Sequence, residues 1–199
     1  WMISTCGGDF EVTTSLCIIA YLAVIAPLIV LVHELSHVVA AIAFVPHDVI
    51  VRIGVRPRIQ LLKWGRLQVL AQWWGGWVGT WSWAADEVEV GKARYIWIVL
   101  AGPVASLLTA LLCASLKNAL QNGPRIAYAL ADTARVGAIA TFACTMIPMK
   151  YPSWMYGQSG VTSDGYRIWH CLVQKGSGSV LIKRSGHVEA VDRGQERGR

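Results

Sequence analysis

Long apolar runs, rather than short alternating ones, dominate the hydropathy pattern of this chain. The first extends from about Ser15 to Phe44, the second from Ile96 to Leu116 and the third from about Ala127 to Met149. Each reaches the roughly 20 residues that a membrane-spanning helix needs. The pattern therefore predicts a mainly α membrane protein with about three transmembrane helices. Between the first and second runs the period changes to two. Val51, Ile53 and Val55 oppose Arg52 and Arg56, and Leu67, Val69 and Ala71 oppose Arg66, Gln68 and Gln72. This alternation predicts two or three strands. Six of the ten Trp residues lie between Trp64 and Trp83. The expected result is a small β-sheet insertion over about 49–83, lying at the membrane surface behind an aromatic belt.

Composition agrees: the 199 residues are 54% hydrophobic and 15% charged, with a mean hydropathy of +0.44. Disorder and a fibrous class are excluded. The net charge of +6 raises nucleic acid as a partner, and the placement of the cations argues against it. None of the 18 Lys and Arg residues lies in 1–14, seven lie between His47 and Arg94, and eight follow Pro148. A three-span chain with its N-terminus outside produces this alternation under the positive-inside rule. The expectation is a multi-pass protein of the cell membrane with the lipid bilayer as partner and no nucleic acid. Residues 1–174 form one polytopic domain, and 175–199 are expected to be a mobile basic tail. The five cysteines form no C-x-x-C pair, so neither a disulfide framework nor a thiolate zinc site is indicated.

Within the first run stands His33-Glu34-Leu35-Ser36-His37, an H-E-x-x-H pattern. On a helix its two imidazoles face one metal ion, and the Glu beside the first reaches a bound water. A carboxylate at membrane depth costs about 2.5–3.5 kcal/mol on insertion scales, which itself marks Glu34 as functional. Catalytic zinc takes a third protein ligand, and Asp132, Asp164 and His170 are the candidates. Asp132 falls near the opposite end of its span, roughly 20 Å in depth from His33, where its i, i+3 spacing to Arg135 predicts an ion pair. Asp164 follows the inward end of that span, at the level of His33 and His37. His170 is the runner-up. The small residues of Ala101-Gly102-Pro103-Val104-Ala105-Ser106 suggest close helix packing.

With HELSH in the first span, AGPVAS in the second, and Pro148 followed by Ser163-Asp164-Gly165 after the third, the chain resembles the site-2 protease family of intramembrane zinc metalloproteases. The resemblance covers most of the chain. It implies one catalytic Zn2+ held by His33, His37 and Asp164, with Glu34 as the catalytic carboxylate, near the cytoplasmic face. The implied activity is endopeptidase cleavage of a membrane-protein substrate in or beside its transmembrane segment, as in regulated intramembrane proteolysis. Two departures stand out. Thr145 and Ser106 occupy positions where the family often carries Asn, and the stretch from Pro148 to Asp164 is longer than the family's compact form. The rival reading is a protease-like scaffold without turnover, or a membrane metal-binding or transport protein. The oligomeric state and the substrate's identity are not encoded in any motif.

Overall fold

A computed structural model describes residues 15, 18–54, 59–72, 78–152, 161–173, 178–183 and 188–190. Outside them lie Pro57, Trp73, Trp74, Trp77, the glycines 157 and 160, Cys6, Cys17 and most of the expected tail. The described chain is mainly helical with two small sheets. Helix α1 spans Ala26–Phe44, α2 Lys92–Ala119, α3 Arg125–Met146 and α4 Asp164–Val173. A π-helical turn, Tyr21–Ile25, leads directly into α1 and absorbs the irregularity that Pro27 imposes by lacking an N–H.

Two stretches, Ile18–Phe44 and Lys92–Ala119, are long and apolar enough to cross a membrane. The expected third span forms helix α3, which carries Arg125, Asp132 and Arg135 and is not one of these two stretches. It packs along α2, as α1 does. Asp132 makes the expected pair with Arg135, Nη2 to Oδ1 at 2.8 Å, and Lys117 of α2 joins it at 2.9 Å. That ion trio ties the two helices together.

The alternating stretch from Val49 to Gln72 holds three strands, β1 Val49–Ile53, β2 Ile59–Trp64 and β3 Leu67–Ala71, within the expected two or three, and β4 Gly79–Trp83 adds a fourth to the insertion. Their order is β2-β3-β1-β4, with β1 parallel to β3 and antiparallel to β4, and β2 antiparallel to β3. Gly65, at φ 53°, turns the β2–β3 hairpin in a conformation that side chains disfavour. Trp81 and Trp83 are core residues, 5% and 3% exposed, so these two tryptophans do not belong to an interfacial belt. They pack with Val38 and Ala41 of α1 and with Val49 and Val51 of β1, fastening the sheet to the helices.

A second, antiparallel sheet joins β5 Glu87–Gly91, β6 Ser179–Lys183 and β7 Val188–Ala190 in that order. Strands β6 and β7 lie within the stretch from residue 175 that was expected to be a tail. Val180 is fully buried against the core that includes Val88 and Val90, because the V-L-I run of β6 supplies an apolar face that β5 can cover.

Candidate metal centre

His33 and His37 are four residues apart on α1, one helical turn, and both are buried. The facing helix α2 carries a matching ladder at the same spacing: Ile98, Gly102 and Ser106. His37 Nδ1–H donates to the Ile98 carbonyl at 2.8 Å, and His33 Nδ1 lies 2.9 Å from Ser106 Oγ. The pairing runs in opposite sequence directions, so α1 and α2 are antiparallel here. Because a carbonyl only accepts, the proton of His37 sits on Nδ1 and Nε2 turns to the site as a ligand. In the ligating tautomer His33 does the same toward Ser106. Gly102 separates these two contacts. A Cβ there would fall 2.8 Å from His33 Nε2 and closer still to His37, so no larger residue admits both rings.

Asp164 arrives from the far end of the chain. Ser163 caps α4, its Oγ accepting the Tyr166 N–H at 3.1 Å, which fixes Asp164 as the first helical residue. The same Oγ donates to the Ile147 carbonyl at 2.6 Å, and the Ser163 N–H donates to the Met149 carbonyl at 3.0 Å. A β-bridge between Lys150 and Thr162 continues the clamp. The long stretch between Pro148 and Asp164 is thus pinched shut at its base, and its length does not displace the aspartate. Gly165 lets α4 press on the end of α3: a Cβ would collide with the Met146 carbonyl group.

The result is a triangle of ligand atoms. Asp164 Oδ2 lies 3.1 Å from His33 Nε2 and 3.3 Å from His37 Nε2, and the two Nε2 atoms are 3.2 Å apart. Tetrahedral zinc with bonds of about 2.0 Å spaces its ligands at about 3.3 Å, so one ion fits over this face. Two imidazole lone pairs and a carboxylate aimed at one point repel unless a cation joins them. Without an ion, burial would raise the Asp164 carboxyl, but protons carried by the facing His37 and His33 rings outweigh it and hold the group below the usual carboxylate range.

Glu34 lines the adjoining cleft together with His33, Asp164, Thr145, Tyr151 and Arg167. Its Oε2 is buried with no hydrogen-bond partner among the described residues, so it presents an acceptor to the cleft beside the metal ligands. Burial, with Asp164 nearby, pushes the Tyr151 hydroxyl up to about 12, so it stays a neutral phenol.

The structure brings together His33, Glu34, His37 and Asp164. It leaves Asp132 in its ion trio, while His170 stacks on Tyr166 with ring centroids 5.8 Å apart. Sequence reasoning missed Ile98, Gly102 and Ser106 as supports of the histidines. The signal was there, since their four-residue spacing repeats that of the histidines, but helix packing alone explained the small residues. Trp81, expected in the interfacial aromatic belt, instead stacks on His37 with ring centroids 5.4 Å apart. Comparison with protein-family models, with curated proteins and with solved structures finds no match to this chain.

Proposed function

We propose that this protein is a zinc-dependent intramembrane endopeptidase of the site-2 protease type. The observation that carries the reading is the triangle His33 Nε2, His37 Nε2 and Asp164 Oδ2, whose sides of 3.1–3.3 Å suit one tetrahedral ion, with Glu34 beside it, its buried Oε2 without a hydrogen-bond partner among the described residues. Bound there, zinc supplies Lewis acidity to a water and to a scissile carbonyl. Glu34 takes the proton of the attacking water and delivers it to the leaving amine. His37 and His33 keep their orientation through Ile98 and Ser106 while this happens.

A bilayer as solvent suits the helix surfaces. Val39, Leu108 and Leu112 are 60–70% exposed. Hydroxyls along the helices donate to the carbonyl four residues back, as with Thr109 on Ala105 and Ser115 on Leu111. That is how a polar side chain is satisfied where water is absent. In this reading α3 is the third span, and its charges lie toward the end opposite the metal centre.

The substrate reaches the site unwound, because a helical peptide keeps its carbonyls occupied. Strand β4 is last in its sheet and its residues Gly79 and Trp81 line the cleft. Ala84 N–H bonds Asp48 and Gly54 N–H bonds Val78, so in the alternating ladder the backbone groups of residues 79 and 81 point away from β1. An extended peptide added there runs beside Glu34.

One observation favours the rival reading of a scaffold with weak turnover. The Thr145 hydroxyl donates to Phe142 at 3.2 Å rather than standing ready as a donor to the cleft. The test is Glu34→Gln in purified full-length protein. Wild type is expected to bind one zinc and cut a transmembrane peptide, and the variant to keep the zinc and lose the cut. A zinc-loaded wild type that cuts no transmembrane peptide favours the scaffold.

A further inference from the structure

The hydrogen bond from His37 Nδ1 to the Ile98 carbonyl, 2.8 Å long, fixes the tautomer of the ring. A bond at one ring atom still tolerates rocking of the ring plane. Two ring contacts stop that motion. Trp81 stacks on the imidazole with centroids 5.4 Å apart and planes 25° from parallel, and His33 meets the same imidazole edge-on, at 4.9 Å and 81°. The plane of His37 therefore sets both the aim of its own Nε2 and the way His33 stands beside it.

Trp81 is a firm support for that plane. It is 5% exposed, lies opposite the buried Val51 of β1, and has Trp83 set T-shaped against it at 4.9 Å. Strand β4 reaches this position because residue 79 is glycine. A Cβ there would fall 2.6 Å from Glu34 Cγ and 2.7 Å from Val30 Cγ1. Residues 79 and 81 share one face of the strand. The face that passes Glu34 at Gly79 thus lays an indole on His37 two residues later, on the strand that also lines the cleft.

An imidazole bound to a divalent ion is electron-poor, and the face of an indole is electron-rich, so stacking favours the metal-bound ring over the free one. The indole Nε1–H is buried without a hydrogen-bond partner among the described residues, so it is the face of Trp81 and not its polar edge that makes the contact. Resting on the zinc-peptidase reading, we propose that Trp81 is a positioning residue of the metal centre, its indole face setting the plane of the His37 imidazole.

The test uses full-length protein in detergent with zinc or cobalt(II) alone. Trp81→Leu and Trp81→Met remove the aromatic face, the second keeping an adaptable apolar side chain so that the core stays filled. Trp81→Phe restores a face without the N–H. Trp83→Leu removes a tryptophan of the same core, 3% exposed, that is not stacked on His37. Zinc affinity, read by competition with a chelator, is expected to fall about 3–10-fold in the Leu and Met variants of Trp81, the worth of one aromatic pair, and to recover in Trp81→Phe. The visible absorption bands of cobalt(II) at full loading report ligand geometry. They are expected to move in Trp81→Leu and Trp81→Met and to keep their wild-type positions in Trp81→Phe and Trp83→Leu. Bands that stay in place in both non-aromatic variants overturn the proposal, whatever the affinity does. An equal shift in Trp83→Leu also overturns it, by tracing the effect to core packing. Failure of the protease reading shows separately, as a wild type that binds metal with these band shifts and cuts no transmembrane peptide. A wild type that takes up neither ion overturns both.

Discussion

Asp164 Oδ2 lies 3.1 Å from His33 Nε2 although 131 positions separate the two residues. The contact depends on the clamp that Ser163 makes with Ile147 and Met149, and it sets the metal prediction. Asp164→Ala removes one of three ligands, so zinc affinity should fall by more than the roughly 10–100-fold that an outer partner costs. Asp132→Asn should leave zinc stoichiometry unchanged. Metal analysis of the two purified variants checks both, and equal zinc in all forms would refute the assignment.

Ser106 orients His33 through a 2.9 Å contact to Nδ1. Ser106→Ala is expected to lower zinc affinity about 10–100-fold, with recovery in Ser106→Asn, which again offers an oxygen acceptor. Competition with a chelator of known affinity reads the effect. An alanine variant that competes as well as wild type would assign Ser106 to packing alone.

Gly102 leaves room for both imidazoles, and a methyl group there points at their Nε2 atoms. Gly102→Ala should therefore lose bound zinc while the helical signal in circular dichroism persists, since alanine favours a helix over glycine by about 1 kcal/mol. Retention of full zinc by this variant would show that the helices separate to accommodate it.

Zinc links to folding because the unfolded chain has no assembled triangle. At a free zinc concentration 100 times its dissociation constant the ion should stabilise the fold by about 2.7 kcal/mol. Thermal unfolding in detergent should shift upward with zinc in wild type and Ser163→Thr, which retains a capping hydroxyl, and not in Asp164→Ala. A shift of the same size in Asp164→Ala would locate the ion elsewhere.

The apolar helices, the alternating strands and the H-E-x-x-H pair were all legible in the chain, because a helix of period 3.6 and a strand of period 2 write themselves directly into residue order. The Asp132–Arg135 pair was legible for the same reason. The sequence had less to say where partners come from distant segments. Nothing local distinguishes Trp81 in the core from Trp64 at the surface, or reveals that Val180 completes a sheet begun by Val88 and Val90. Nor does the small-residue stripe of α2 show that Gly102 and Ser106 face histidines rather than leucines. Local order determined which side chains could ligate an ion. Only the packing of α1 on α2, with α4 pinned against the end of α3, decided that three of them meet within 3.3 Å, because ligation is a property of distances that residue order does not carry.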